Sequence, residues 1–137
     1  LGATDVVDNT RDDAARALRQ LAPDLAFDTT ARPEVIAAAL AALRPRGRLV
    51  FAGLAPRGQT LELDANRLMM SGKSIRGTAE GDAEPRSFIP GLIAWYRAGE
   101  LPLDRLVTTY PFDQINDAAA DMRAGRAIKP VLLMPPP

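Results

Sequence analysis

The positions most open to chemistry stand where strand-like runs end. Leu25-Ala26-Phe27-Asp28-Thr29 ends in small polar residues, Arg48-Leu49-Val50-Phe51-Ala52 ends in Gly53, and Lys73-Ser74-Ile75-Arg76-Gly77-Thr78 rises into a glycine-containing loop. The chemistry open to them is narrow, because the sequence has no cysteine and no histidine. That removes a thiolate nucleophile, a disulfide framework, the usual zinc ligands and the commonest general base. Carboxylates remain, and carboxylates alone rarely hold zinc. Small polar side chains and open backbone at strand ends can instead bind, and the glycine end of the second run has the form of a ligand-facing turn. Thr29 and Thr30 also suit the capping of a following helix, and Gly53 suits a plain structural turn.

The elements that must carry these residues alternate in type. Asp5-Val6-Val7-Asp8 predicts a short strand, and Asp12 to Leu21 a helix with Ala14, Ala17, Leu18 and Leu21 on one face. Asp12 and Asp13 then serve as charges at its N-terminus. Pro23-Asp24 breaks it, and Leu25 to Thr29 predicts a buried strand. Pro33 opens the next helix, where a missing N–H costs nothing, and Arg44-Pro45-Arg46-Gly47 ends it. Arg48 to Gly53 is apolar enough on both faces for a central parallel strand. A short strand is expected over Gly58 to Leu63, a helix over Ala65 to Met70 with Met69 and Met70 filling core, and a strand over Lys73 to Thr78. Phe88 to Ala98 predicts an amphipathic helix stopped by Gly99, with Trp95 and Tyr96 as packing residues. Val107 to Phe112 is extended, Asp113 caps a helix running to Ala124, and Lys129 to Met134 forms the last strand. Such alternation implies an α/β fold with a parallel sheet covered on both faces and ligands at the carboxyl ends of its strands.

Composition narrows the function further. At 137 residues the chain can bury one ordinary core, and 17 basic residues balance 17 acidic ones. No net field draws it to nucleic acid or an anionic membrane. No apolar run approaches the roughly 20 residues of a spanning helix, so the expectation is a soluble, cytoplasmic protein. A start at Leu1 implies sequence upstream.

Three segments together resemble the C-terminal, cofactor-binding half of the medium-chain dehydrogenase/reductase superfamily, in its zinc-type alcohol dehydrogenase branch. They are Leu25 to Ile36 followed by Leu43 to Leu54, Lys73 to Thr78, and Val107 to Met134 with its Tyr110-Pro111-Phe112-Asp113 and Met122-Arg123-Ala124-Gly125 stretches. The first segment alone also suits an S-adenosylmethionine-dependent methyltransferase. The last is the specific one. The resemblance implies a partial Rossmann-like doubly wound sheet over residues 1–99 and a C-terminal segment of the catalytic domain over residues 100–137.

It also implies roles. Thr29, Thr30 and Ala31 would lie beside the adenosine part of NAD or NADP, although the family more often has glycine at the place of Ala31. Ala52, Gly53 and Leu54 would reach the nicotinamide side, Thr78, Ala79 and Glu80 would hold the carboxamide through backbone groups, and Lys129 would pair with the pyrophosphate. No catalytic residue and no metal ligand is implied here; zinc would belong to the full-length enzyme, on a domain this sequence lacks. Glycines 72, 77 and 81 do not form a G-x-G-x-x-G phosphate turn, and none precedes them. In the family's strand order 3-2-1-4-5-6, strands between Asp5–Asp8 and Leu25–Thr29 are missing, which leaves open edges. These imply a homodimer, for which Lys73 to Gly77 is the expected edge, or a different packing of Leu1 to Thr10. The inherited activity would be hydride transfer between an alcohol and an aldehyde or ketone, with none expected of this chain alone. A remnant of a zinc-free quinone or enoyl reductase, the methyltransferase-like domain and a non-catalytic association module stand as alternatives.

Overall fold

The computed structural model describes residues 2–8 and 13–136. Helices and strands alternate through it: α1 (Ala14–Leu21), β1 (Leu25–Asp28), α2 (Pro33–Ala42), β2 (Arg48–Phe51), α3 (Ala65–Ser71), β3 (Ser74–Gly77), α4 (Pro85–Arg97), β4 (Val107–Pro111), α5 (Ile115–Arg123) and β5 (Lys129–Leu133). This is the expected α/β class. Two compact units divide it, residues 2–83 and 84–136. The division precedes α4 and so groups that helix with the second unit, whereas the resemblance groups it with the first.

In the first unit the three strands form a parallel sheet in the order β1-β2-β3. Parallel neighbours need a crossover, and α2 and α3 supply one each. β2 is central because its side chains can be buried: Leu49 is fully inaccessible and packs with Ile36 and Leu43, flanked by Ala26, Leu40, Phe51 and Ile75. Helix α1 lies beside α2. Asp13 caps α1 by accepting from the Arg16 amide at 3.0 Å. Asp12, the other half of the expected charge pair, lies outside the described residues. Lys73 closes the end of α2, its Nζ donating to the carbonyls of Leu40 at 2.9 Å and Ala41 at 3.1 Å, where a cation complements the helix dipole. Burial, and then the neighbouring Arg67, hold its pKa below the ordinary lysine value.

Several expectations fail in this unit. Asp5–Asp8 is not a strand, and Val6 is exposed. Two valines between aspartates have too little apolar surface to hold a strand without a ladder partner. Residues 58–63 form no strand either. That segment crosses α2 instead of a sheet edge, with Thr60, Leu61 and Glu62 facing Pro33, Glu34 and Ala37 across a shallow groove. Met69 and Met70 are exposed rather than core. β1 is half-buried: as an edge strand it leaves Leu25 and Phe27 each 61% exposed, while Ala26 and Asp28 face the core side.

In the second unit β4 and β5 are parallel, with Val107 opposite Lys129 and Tyr110 opposite Leu132, and α5 crosses between them. The Asp121 carboxylate ties the corner together. It accepts from the Tyr110 hydroxyl at 2.9 Å and from Arg126 at 2.6 and 2.9 Å. These two partners, Arg126 first, hold the Asp121 pKa down, and the bond to Asp121 raises that of Tyr110. Asp113 does not cap α5. It sits inside a 3-10 turn over Phe112–Gln114, and the capping position falls to Gln114, which makes no side-chain cap. In α4, Trp95 packs edge-on against Phe88 at 6.4 Å and Tyr96 donates to Asp104.

Candidate functional site

Parallel strands point all their carboxyl ends one way. The register aligns Asp28, Phe51 and Gly77 across the sheet, so Thr29–Ala31, Ala52–Leu54 and Thr78–Glu80 all leave from one edge. The ladder runs one step past the strands, with Ala52 N–H donating to Asp28 O at 2.9 Å and Thr78 N–H to Phe51 O at 3.0 Å. In open α/β sheets this edge is where ligands bind.

The first turn is built around a buried carboxylate. Asp28 is 6% exposed and is the one buried charged side chain among the described residues. Its Oδ1 accepts from the amides of Thr30 at 3.1 Å and Ala31 at 3.0 Å, and its Oδ2 from the Thr30 hydroxyl at 2.9 Å. Thr30 Oγ1 in turn accepts from the Arg32 amide at 3.1 Å. The two threonines therefore differ: the Thr30 hydroxyl gives its proton to the turn, whereas Thr29 is exposed and its hydroxyl has no protein partner among the described residues. Ala31 closes the turn at φ +56°, in the left-handed region. The role of Asp28 is absent from the sequence reading, although an aspartate two residues before an amide it could accept from is a known turn signal.

The second turn interlocks with the first. A Cβ on Gly53 would stand 2.5 Å from Ala31 N and 2.8 Å from Ala31 Cβ. Close approach thus explains the glycine, but the approaching group is the neighbouring turn. Leu54 beyond it is 99% exposed. In the third turn the Thr78 N–H belongs to the ladder and the Ala79 carbonyl accepts from the Asp82 amide at 2.9 Å. The N–H groups of Ala79 and Glu80 have no partner among the described residues. Glu80, Gly81 and Asp82 take φ values of 51°, 72° and 54° in succession, and Arg76 pairs with Asp82 at 2.6 Å.

The sheet thus brings together every expected site residue except Lys129, which opens β5 in the second unit with its side chain exposed. The edge offers the hydroxyls of Thr29 and Thr78, neither with a protein partner among the described residues, free backbone donors and no side-chain base or nucleophile at the turn tips other than Glu80. Zinc does not fit this chain: the sequence has no cysteine or histidine, and no group of three potential ligands exists among the described residues. No helix among them is long and apolar enough to cross a membrane.

Comparison with known proteins agrees with this reading of the fold. Residues 1–97 match the profile of the family described as zinc-binding dehydrogenase. The geraniol dehydrogenase of Castellaniella defragrans is 41% identical over 107 residues, which are 78% of this chain and 29% of that protein. The S-(hydroxymethyl)glutathione dehydrogenase of Paracoccus denitrificans is 33% identical over 112 residues, 80% of this chain and 30% of the relative. Among solved structures, benzyl alcohol dehydrogenase from Acinetobacter calcoaceticus superimposes with a TM-score of 0.90 at 35% identity, over 98% of this chain and 38% of that one. The alcohol dehydrogenase zinc-binding domain protein from Burkholderia ambifaria gives 0.89 at 38% identity, over 98% and 37%. The chain therefore spans about a third of the length of the relatives it matches.

Proposed function

The chain belongs to the zinc-binding dehydrogenase family and corresponds to the C-terminal part of its alcohol dehydrogenases, and on that premise we propose that it supplies one wall of a nicotinamide cofactor site and none of the groups that activate the alcohol. The observation that carries this is the alignment of three small-residue turns at one carboxyl edge, with the Thr29 hydroxyl and the Ala79 and Glu80 amides free. In this reading Thr29 and the backbone of Thr30 and Ala31 take the adenosine side. Ala52, Gly53 and Leu54 take the nicotinamide side, and the amides of Ala79 and Glu80 hold the carboxamide. When bound, NAD or NADP would supply the hydride acceptor or donor. The chain's contribution is orientation, since fixing one ring face removes much of the entropic barrier.

The alcohol-activating machinery would belong to the rest of a full-length enzyme, which would act on an alcohol or aldehyde. The exposed edge of β3 would join a second copy. Calorimetric titration with NADH, NADPH and S-adenosylmethionine tests the reading: a nicotinamide nucleotide binds and S-adenosylmethionine does not. Binding of S-adenosylmethionine alone would replace the dehydrogenase assignment with a methyltransferase-like one. With zinc, NAD and benzyl alcohol added together, the chain is expected to produce no NADH absorbance, and steady turnover would refute the division of labour.

A further inference from the structure

We infer that Asp28 is a positioning residue: its carboxylate holds Ala31 in a left-handed conformation that glycine would adopt unaided, and so fixes the turn that presents the Thr29 hydroxyl at the open edge. Burying a carboxylate is costly unless its oxygens are satisfied, and Asp28 is satisfied by three donors drawn only from the next three residues. The carboxylate has no other partner among the described residues. Its donors all belong to a turn that ends on a non-glycine residue at φ +56°, where the Cβ crowds the following carbonyl. The bond from the Ala31 amide to Oδ1 acts on the strained residue itself.

Two further contacts show that the turn's shape matters. Gly53 is seated against the Ala31 backbone so closely that a single added carbon would collide with it, so a relaxed Ala31 would move the second turn as well. Thr30 is held in both directions, by Asp28 and by the Arg32 amide, which leaves Thr29 as the hydroxyl of this turn open to a ligand. Charge-assisted bonds to backbone amides are among the stronger ones available for such a task.

The inference rests on the proposed cofactor reading only for what the turn presents. Its test separates the two. NADH affinity, by fluorescence titration, and the intraresidue amide–Hα nuclear Overhauser effect of residue 31, strong at positive φ, are measured for the wild-type chain, Asp28→Ala, Ala31→Gly and the double variant. Asp28→Ala should weaken that Overhauser effect and reduce NADH affinity about tenfold, the scale of a lost charge-assisted bond. With Ala31→Gly as the reference, adding Asp28→Ala should cost far less affinity than Asp28→Ala costs in the wild-type background, because glycine takes the left-handed conformation without help. A residue that served stability alone would lower the melting temperature without this dependence on residue 31. The inference is overturned if residue 31 keeps its positive φ in Asp28→Ala, or if Asp28→Ala costs as much affinity in the Ala31→Gly background as in the wild-type one. Should the wild-type chain bind no NADH, the cofactor reading fails, and the Overhauser effect still decides whether Asp28 holds the turn. If Asp28→Ala does not fold, Asp28→Asn replaces it. The amide oxygen can still accept from the two backbone amides but its NH2 cannot accept from Thr30, so an intermediate loss with the same dependence on residue 31 is expected.

Discussion

Replacing Gly53 by alanine places a methyl group 2.5 Å from Ala31 N, 2.8 Å from Ala31 Cβ and 3.0 Å from Ala31 Cα. Carbon contacts are optimal at roughly 3.5–4.0 Å, so the nearest approach falls short by about 1 Å. Two of the three atoms are backbone, which cannot rotate away, and Ala31 is itself pinned by Asp28 and accepts from Gln59 Nε2 at 3.4 Å. Overpacking costs about 1–3 kcal/mol, and the immobile neighbour puts Gly53→Ala at the upper end. For a unit of this size about 3 kcal/mol lowers Tm by on the order of 10–20 °C. Scanning calorimetry checks the value. Adding Ala31→Gly removes only the Cβ contact, so it should recover part of the loss and not all. A Tm for Gly53→Ala within about 2 °C of wild type would refute the interlocking of the two turns.

Gly91 provides the opposite case. It lies inside α4, where a Cβ would meet nothing within 4 Å, so Gly91→Ala should stabilise by about 1 kcal/mol through helix propensity alone, visible as a higher urea midpoint. Asp121 and Tyr110 predict a pH dependence on both sides of neutrality. The Asp121 pKa is lower folded than unfolded, so its contribution is complete above the ordinary carboxylate range and is lost as pH falls through the folded value. Tyr110 is raised, so its contribution is complete below the ordinary tyrosine pKa of about 10 and is lost as pH rises through the folded value. Asp121→Asn should flatten the acid limb of the urea midpoint plotted against pH, and curves that stay parallel to wild type there would count against the Asp121 corner.

The alternation of apolar runs and helical faces was enough to place the five α-helices and five strands of the described residues, though not the short 3-10 turns, because burial in a parallel sheet leaves a strong pattern in runs such as Leu49-Val50-Phe51. What failed depended on partners. Val6-Val7 and residues 58–63 carry strand-like residues but no ladder neighbour among the described residues. Met69-Met70 lies on the exposed face of a short helix, and periodicity over seven residues cannot tell inside from outside. The candidate edge was legible because the small residues after three strands are contiguous in sequence. The differing roles of Thr29 and Thr30 were not, since they turn on which hydroxyl meets the Asp28 carboxylate, and that is fixed only by the backbone of the turn.

The central claim is that the carboxyl edge of the first unit is a dinucleotide surface. Amide chemical-shift mapping of the isotope-labelled chain against NADH tests it most directly. Saturable shifts are predicted at Thr29 to Ala31, Gly53, Leu54, Ala79 and Glu80, with the amide of buried Leu49 unmoved. Shifts scattered away from that edge, or none at millimolar NADH, would contradict it.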